Sequence, residues 1–144
     1  MFLYQEALWL VEAGQPPVMA TVVQVSGSTP QKPGARLLVR RDGTLAGTLG
    51  GGCVESDVWA EAMALVEHGG GARLREFHLN EDLDADGLVC GGTMHVLLEP
   101  LIQTELLREV VEAHQGGGPV ALARLIDAGE ARYLLVRPDG SASG

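Results

Sequence analysis

Residues 47–57, GTLGGGCVESD, carry the chain from a short extended run through three glycines and a cysteine into a helical pattern. Glycine loses more backbone freedom on folding than any other residue, so a triple glycine needs a reason. Two further triple glycines act as an internal control. Gly69 to Gly71 and Gly116 to Gly118 both follow helical patterns and are expected to close them as left-handed caps. Gly50 to Gly52 precede a helix instead, where a bare backbone suits close approach by another group.

Working outward, residues 54–67 place Val54, Val58, Ala62 and Leu65 on one helical face. Upstream, residues 35–40 and 44–49 predict a hairpin about the Asp42-Gly43 turn. Residues 18–25 are β-branched and apolar, a buried strand, and 27–34 (GSTPQKPG) form a loop. Residues 2–13 predict an amphipathic helix stopped by Gly14 and the Pro16-Pro17 pair. Downstream, residues 73–79 and 94–98 predict strands, 103–114 a helix, and 120–126 with 132–136 a second hairpin. Its LLVRPDG (134–140) repeats LLVRRDG (37–43) at all but one position, and the ungapped extension sets Gly144 opposite Gly47. On this reading the second copy stops mid-element: either something once followed, or the last residues form a frayed tail. Helices alternating with short strands and hairpins predict an α/β fold, helices layered on a mixed sheet, as a single domain over residues 1–144.

The net charge of −9 argues against broad binding to nucleic acid or anionic membrane. The N-terminal stretch has no basic segment ahead of its apolar residues and does not read as a signal peptide. A cytoplasmic protein is expected, with Cys53 and Cys90 reduced.

Several residue groups carry candidate chemistry. Helix N-termini offer unsatisfied N–H groups and partial positive charge, which favour anions and lower a thiol's pKa. Gly50, Gly51, Gly52 and Cys53 fit a thiolate beside a backbone cradle, and equally a tight turn with a buried cysteine. Neither a P-loop lysine nor a third dinucleotide-motif glycine is present; position 55 is Glu55. A carboxylate there would repel phosphate but accept from adjacent N–H donors. GLVCGGTMH (87–95) sets Cys90 beside Gly91 and Gly92, a second cysteine next to paired glycines. In the 27–36 stretch, Ser28, Thr29, Lys32, Gly34 and Arg36 give hydroxyls, a flexible turn and cations. Arg36 and Arg40 share a strand face, for phosphate or for solvent. Asp82-x-Asp84-x-Asp86-Gly87 opens like a calcium loop, but its twelfth position is Thr93, not glutamate. Cys53, Cys90, His78 and His95 lack zinc-site spacing.

Taken in order, GSTPQKPGA, DGTLAGTLGGGCVE and GLVCGG resemble the XdhC/CoxI family, over roughly residues 5–101. Its members are accessory proteins for molybdenum hydroxylases such as xanthine dehydrogenase and carbon monoxide dehydrogenase. The resemblance implies a chaperone, not an enzyme. It would bind the molybdenum cofactor, as molybdopterin or its cytosine dinucleotide, while a cysteine desulfurase adds sulfur. It would then pass the cofactor to the apoenzyme. On that reading Glu55 meets the pterin edge, Lys32 or Arg36 the phosphate, and Cys53 or Cys90 lies near molybdenum. Longer members carry a C-terminal Rossmann-type domain. A thiol redox or sulfur-transfer protein and a non-catalytic module of a larger complex remain as other readings. Exposed hairpin edges leave a homodimer open.

Overall fold

The computed structural model describes residues 2–79, 91–127 and 130–144. Cys90 and the Asp82–Gly87 run lie outside the described residues. The elements are α1 (Leu3–Glu12), β1 (Val18–Ser26), β2 (Arg36–Val39), β3 (Leu45–Gly47), α2 (Gly52–His68), β4 (Arg73–His78), β5 (Thr93–Pro100), α3 (Thr104–Glu112), β6 (Ala121–Asp127), β7 (Glu130–Val136) and β8 (Ala142–Ser143). A π-helical turn, Ala113–Gly117, extends α3. Nearly every expected element is present. The strand after the Asp42-Gly43 turn is shorter than expected, because Gly47 takes φ of 84° and turns the chain out of the sheet. The last residues are not frayed: β8 pairs with β7.

A five-stranded sheet runs β3-β2-β1-β5-β4 and a three-stranded sheet β6-β7-β8. The α/β arrangement of helices on sheet with hairpins holds, but the sheet expected to be mixed is not: the described pairings are all antiparallel. Parallel neighbours would require a crossover returning beside its starting strand. Here α2 leaves β3 at one edge and reaches β4 at the other.

Strand alternation sorts the residues into two cores. Val18, Ala20, Val22, Leu37, Val39, Met94, Val96 and Leu98 face α2 and meet its stripe Val54, Val58, Ala62 and Leu65. Each large side chain buried this way contributes about 1.5–3 kcal/mol. Met19 and Leu38 face the other way, toward α1, α3 and Leu135 of the second sheet. No helix among the described residues is long and apolar enough to cross a membrane.

Candidate functional site

Three loops meet at one end of the five-stranded sheet, because β1 ends where β5 begins and β3 ends two strands away. The first is the 27–34 loop leaving β1. It folds back so that the Gly34 N–H donates to the Val22 carbonyl at 2.8 Å, while Thr29 Oγ1 donates to the Gln31 carbonyl at 2.9 Å. The second is the Gly91-Gly92 pair entering β5. Gly92 is buried so tightly beneath the first loop that a Cβ there would lie 2.3 Å from the Ser28 carbonyl oxygen and 2.6 Å from that of Ser26. The third is the glycine run. A Cβ on Gly50 would lie 2.4 Å from Pro30 Cβ. Thr29 and Pro30 thus stand between Gly92 on one side and Gly50 on the other.

Gly50, Gly51 and Gly52 have φ of 107°, 77° and 69°, a left-handed run that L side chains resist. A Cβ on Gly51 would meet nothing within 4 Å. The run leads directly into α2, whose first N–H groups have no partner within the helix. Cys53 is the second residue of that helix.

Glu55 organises this turn. Its Oε1 accepts from the Thr48 hydroxyl at 2.5 Å, the Leu49 N–H at 2.7 Å and the Gly51 N–H at 3.0 Å. Burial alone would raise its pKa, but these donors outweigh burial and hold the carboxyl below the usual value of 4.5. The sequence reading has Glu55 reaching a ligand; in the fold its Oε1 is engaged in bracing the loop. A depressed carboxyl contributes stability above its unfolded pKa and loses it as pH falls through the folded value. Glu55→Gln should therefore cost about 1–2 kcal/mol at pH 7. The difference from the parent should shrink below pH 4.5 in urea unfolding curves, and a constant difference down to pH 3 would refute the brace.

Of the expected residues, Ser28, Thr29, Gly50, Gly91 and Gly92 come together at the convergence. Gly51, Gly52, Cys53 and Glu55 adjoin it. Ser28, Lys32, Gly34, Gly50, Gly52 and Gly91 are exposed. Arg36 stands apart. Its neighbours Leu37 and Val39 face α2, while its guanidinium lies 5.4 Å from the Tyr4 ring centroid on the α1 side. Arg40 shares that face and pairs with Glu6. Sequence reasoning missed Thr48 and Pro30. Pro30 carries no chemistry of its own and acts only through shape. Among the described residues no three His, Cys, Asp or Glu side chains cluster as a metal site.

A model of the XdhC and CoxI family matches residues 10–78. A protein of Bacillus subtilis (strain 168), named as a probable xanthine dehydrogenase subunit, is 32% identical over 143 residues, covering 91% of this chain and 40% of that protein. "Molybdenum cofactor insertion chaperone PaoD" of Escherichia coli (strain K12) is 31% identical over 112 residues, 76% of this chain and 34% of the relative. A crystal structure described as a xanthine dehydrogenase from Bacillus halodurans superposes with a TM-score of 0.73 at 31% identity, over 96% of this chain and 44% of that one. The chain spans less than half the length of these relatives.

Proposed function

The chain belongs, through residues 10–78, to the XdhC and CoxI family, and on that premise we propose that it binds the molybdenum cofactor at the three-loop convergence, as cargo for a molybdenum hydroxylase. The observation that carries this is the packing of Gly92 against Ser28 and of Gly50 against Pro30, which joins three motifs distant in sequence into one surface. The relative named as a molybdenum cofactor insertion chaperone supports the choice of cargo.

The surface supplies what such a cargo needs. Gly51 and Gly52 leave the backbone open to close approach, and the α2 N-terminus offers N–H donors to oxygen acceptors. Lys32, exposed in the first loop, neutralises the phosphate end. Ser28 donates or accepts at the rim. For the metal end the sequence offers soft sulfur in Cys53 and Cys90. Glu55 keeps the glycine run in its left-handed course, so the cradle exists before the cargo arrives and little ordering entropy is lost on binding. In this reading the protein performs no bond chemistry itself. It shelters the cargo while a cysteine desulfurase supplies sulfur, then yields it to the apoenzyme.

The test is an anaerobic titration with molybdenum cofactor, reading protein-bound molybdenum after gel filtration. One-to-one retention is expected. Cys53→Ala should weaken it about tenfold, the loss of one charge-assisted contact. Lys32→Ala should weaken it less, and its effect should fade as salt rises. Absence of retention at any concentration would overturn the proposal. Disulfide or persulfide formation at Cys53 without molybdenum binding would favour thiol chemistry instead.

A further inference from the structure

The repeated LLVR-x-DG segment belongs to a larger duplication. In β1–β2 the register pairs Val18 with Val39, Met19 with Leu38 and Ala20 with Leu37. In β6–β7 it pairs Ala121 with Val136, Leu122 with Leu135 and Ala123 with Leu134. The turns that follow match bond for bond. Gly43 N–H donates to the Arg40 carbonyl as Gly140 N–H does to that of Arg137. Asp42 Oδ1 accepts from the Thr44 N–H at 2.9 Å, as Asp139 Oδ1 does from the Ser141 N–H at 2.9 Å. Arg40 pairs with Glu6 on α1, and Arg137 with Glu109 on α3. The unit α1-β1-β2-β3 thus recurs as α3-β6-β7-β8, and Ala7, Leu8 and Leu38 share one core with their equivalents Val110, Val111 and Leu135.

The two units differ where the paired strands are joined. In the second, the ladder runs on through Leu125–Arg132, Ile126–Ala131 and Asp127–Glu130, leaving two residues to close it, the commonest hairpin connection. In the first, the β1–β2 ladder stops at Thr21–Arg36, and the Val22 N–H makes one more bond, to the Ala35 carbonyl. There β1 leaves its partner. Its register with β5 shifts between Val22 and Gln24, and a bulge of this kind bends a strand away from its course. The chain then makes an excursion over residues 23–34, where the second unit has only 126–131. The added length is what carries Ser28 and Thr29 over Gly92 and sets Pro30 against Gly50.

The excursion contributes little to the fold. None of residues 24–33 is buried, and Val25 alone packs partly against the α2 core. Among the described residues, its one side-chain hydrogen bond, from Thr29 Oγ1 to the Gln31 carbonyl, stays inside it. Yet it is not slack. Pro30 and Pro33 fix the backbone locally, and Gly92 and Gly50 hold the loop on two sides. A stiff, exposed loop on a rigid scaffold gains nothing for the core but loses little entropy on meeting a ligand. We propose that residues 24–33 are a recognition insertion: the fold closes without them, and the cargo is not held without them. This rests on the cargo reading above. It assigns the insertion to the anionic, phosphate-bearing end, with Lys32 as the cation and Ser28 as the hydroxyl donor.

The test replaces residues 24–33 of the full chain by Thr-Asn-Gly-Thr, a neutral turn of the length that the second unit uses. The shortened protein should unfold cooperatively with a Tm within about 10 °C of the parent. It should retain molybdenum cofactor about tenfold more weakly or worse. Glycine at positions 28–31 keeps the length and Lys32 but removes the stiffness, and should also stay folded and lose retention. A shortened protein without a cooperative transition overturns the insertion and leaves the cargo reading standing, because the parent's retention is measured separately. Parental retention in both folded variants overturns the recognition role. A parent that retains no molybdenum overturns the cargo reading, and the recognition role falls with it.

Discussion

Glu99→Ala is expected to lower folding stability by about 3–5 kcal/mol, the cost of removing one partner from a buried ion pair. Glu99 is fully buried on β5. Its Oε1 lies 3.0 Å from Arg124 Nε on β6, and its Oε2 accepts from the Tyr133 hydroxyl on β7 at 3.3 Å. Arg124 also donates to the Tyr4 hydroxyl and sets its guanidinium 5.8 Å from that ring. The cluster ties α1 and the five-stranded sheet to the three-stranded one, so its loss is felt between the two units. Without Glu99, the guanidiniums of Arg124 and Arg36 share a mostly buried space with no compensating anion. Replacing Glu99 and Arg124 together by methionine should recover most of the loss, because the desolvation cost of both charges disappears with them. Urea unfolding of the single and double variants measures this. A double variant no better than Glu99→Ala would show that packing, not charge, sets the cost.

The same carboxyl has a pH signature opposite to that of Glu55. Burial raises the Glu99 pKa above the usual 4.5, with Arg124 opposing. A carboxyl raised on folding contributes stability below its unfolded pKa and loses it as pH rises through the folded value. Glu99→Gln should therefore lose least, relative to the parent, on the alkaline side of pH 4.5, while Glu55→Gln loses most there.

The sequence made the elements legible because periodicity and breakers are local. The α2 stripe, the Asp42-Gly43 turn and the closing caps at Gly69 and Gly116 all follow from neighbours within a few residues. Gly69 caps α2 and Gly116 breaks the helical course within the π-turn after α3, both with positive φ, at 70° and 106°. What was not legible depends on strand order. Alternation correctly put Arg36 and Arg40 on one face, but not which face α2 would cover. That choice sends Arg36 under Tyr4 and Arg40 to Glu6. Glu99 ends an apolar strand, and nothing local marks the arginine that meets it from β6. The duplication showed only in the turn segment, where hydrogen-bond chemistry restricts substitution. In the strands, any aliphatic residue serves, so Val18 and Ala121 drifted apart while their register stayed. Likewise the three motif loops were each visible, but their convergence needed β1 and β5 to be neighbours.

That convergence yields the sharpest separation of fold from binding, through three glycine substitutions. Gly92→Ala should be the most damaging, at about 3 kcal/mol of overpacking. Its Cβ meets two backbone carbonyl oxygens, which cannot rotate away as a side chain would. Either the Ser28–Thr29 loop lifts or β5 frays at its start, and cofactor retention should vanish with the loop geometry. Gly50→Ala adds left-handed strain at φ of 107° to a clash with the stiff Pro30 ring, and should lower both stability and retention. Gly51→Ala differs in kind. Its φ of 77° with ψ of −175° is a conformation that essentially only glycine adopts, at a cost of about 1–3 kcal/mol for alanine, yet its methyl would enter open space. If that space is where the cargo's oxygen atoms approach the backbone, Gly51→Ala should stay folded and lose retention at least tenfold. Thermal unfolding and gel-filtration retention, measured side by side, distinguish the cases. A folded Gly51→Ala protein that retains molybdenum like the parent would mean that the glycine run serves the turn alone, and would move the cargo toward Ser28, Lys32 and Gly91.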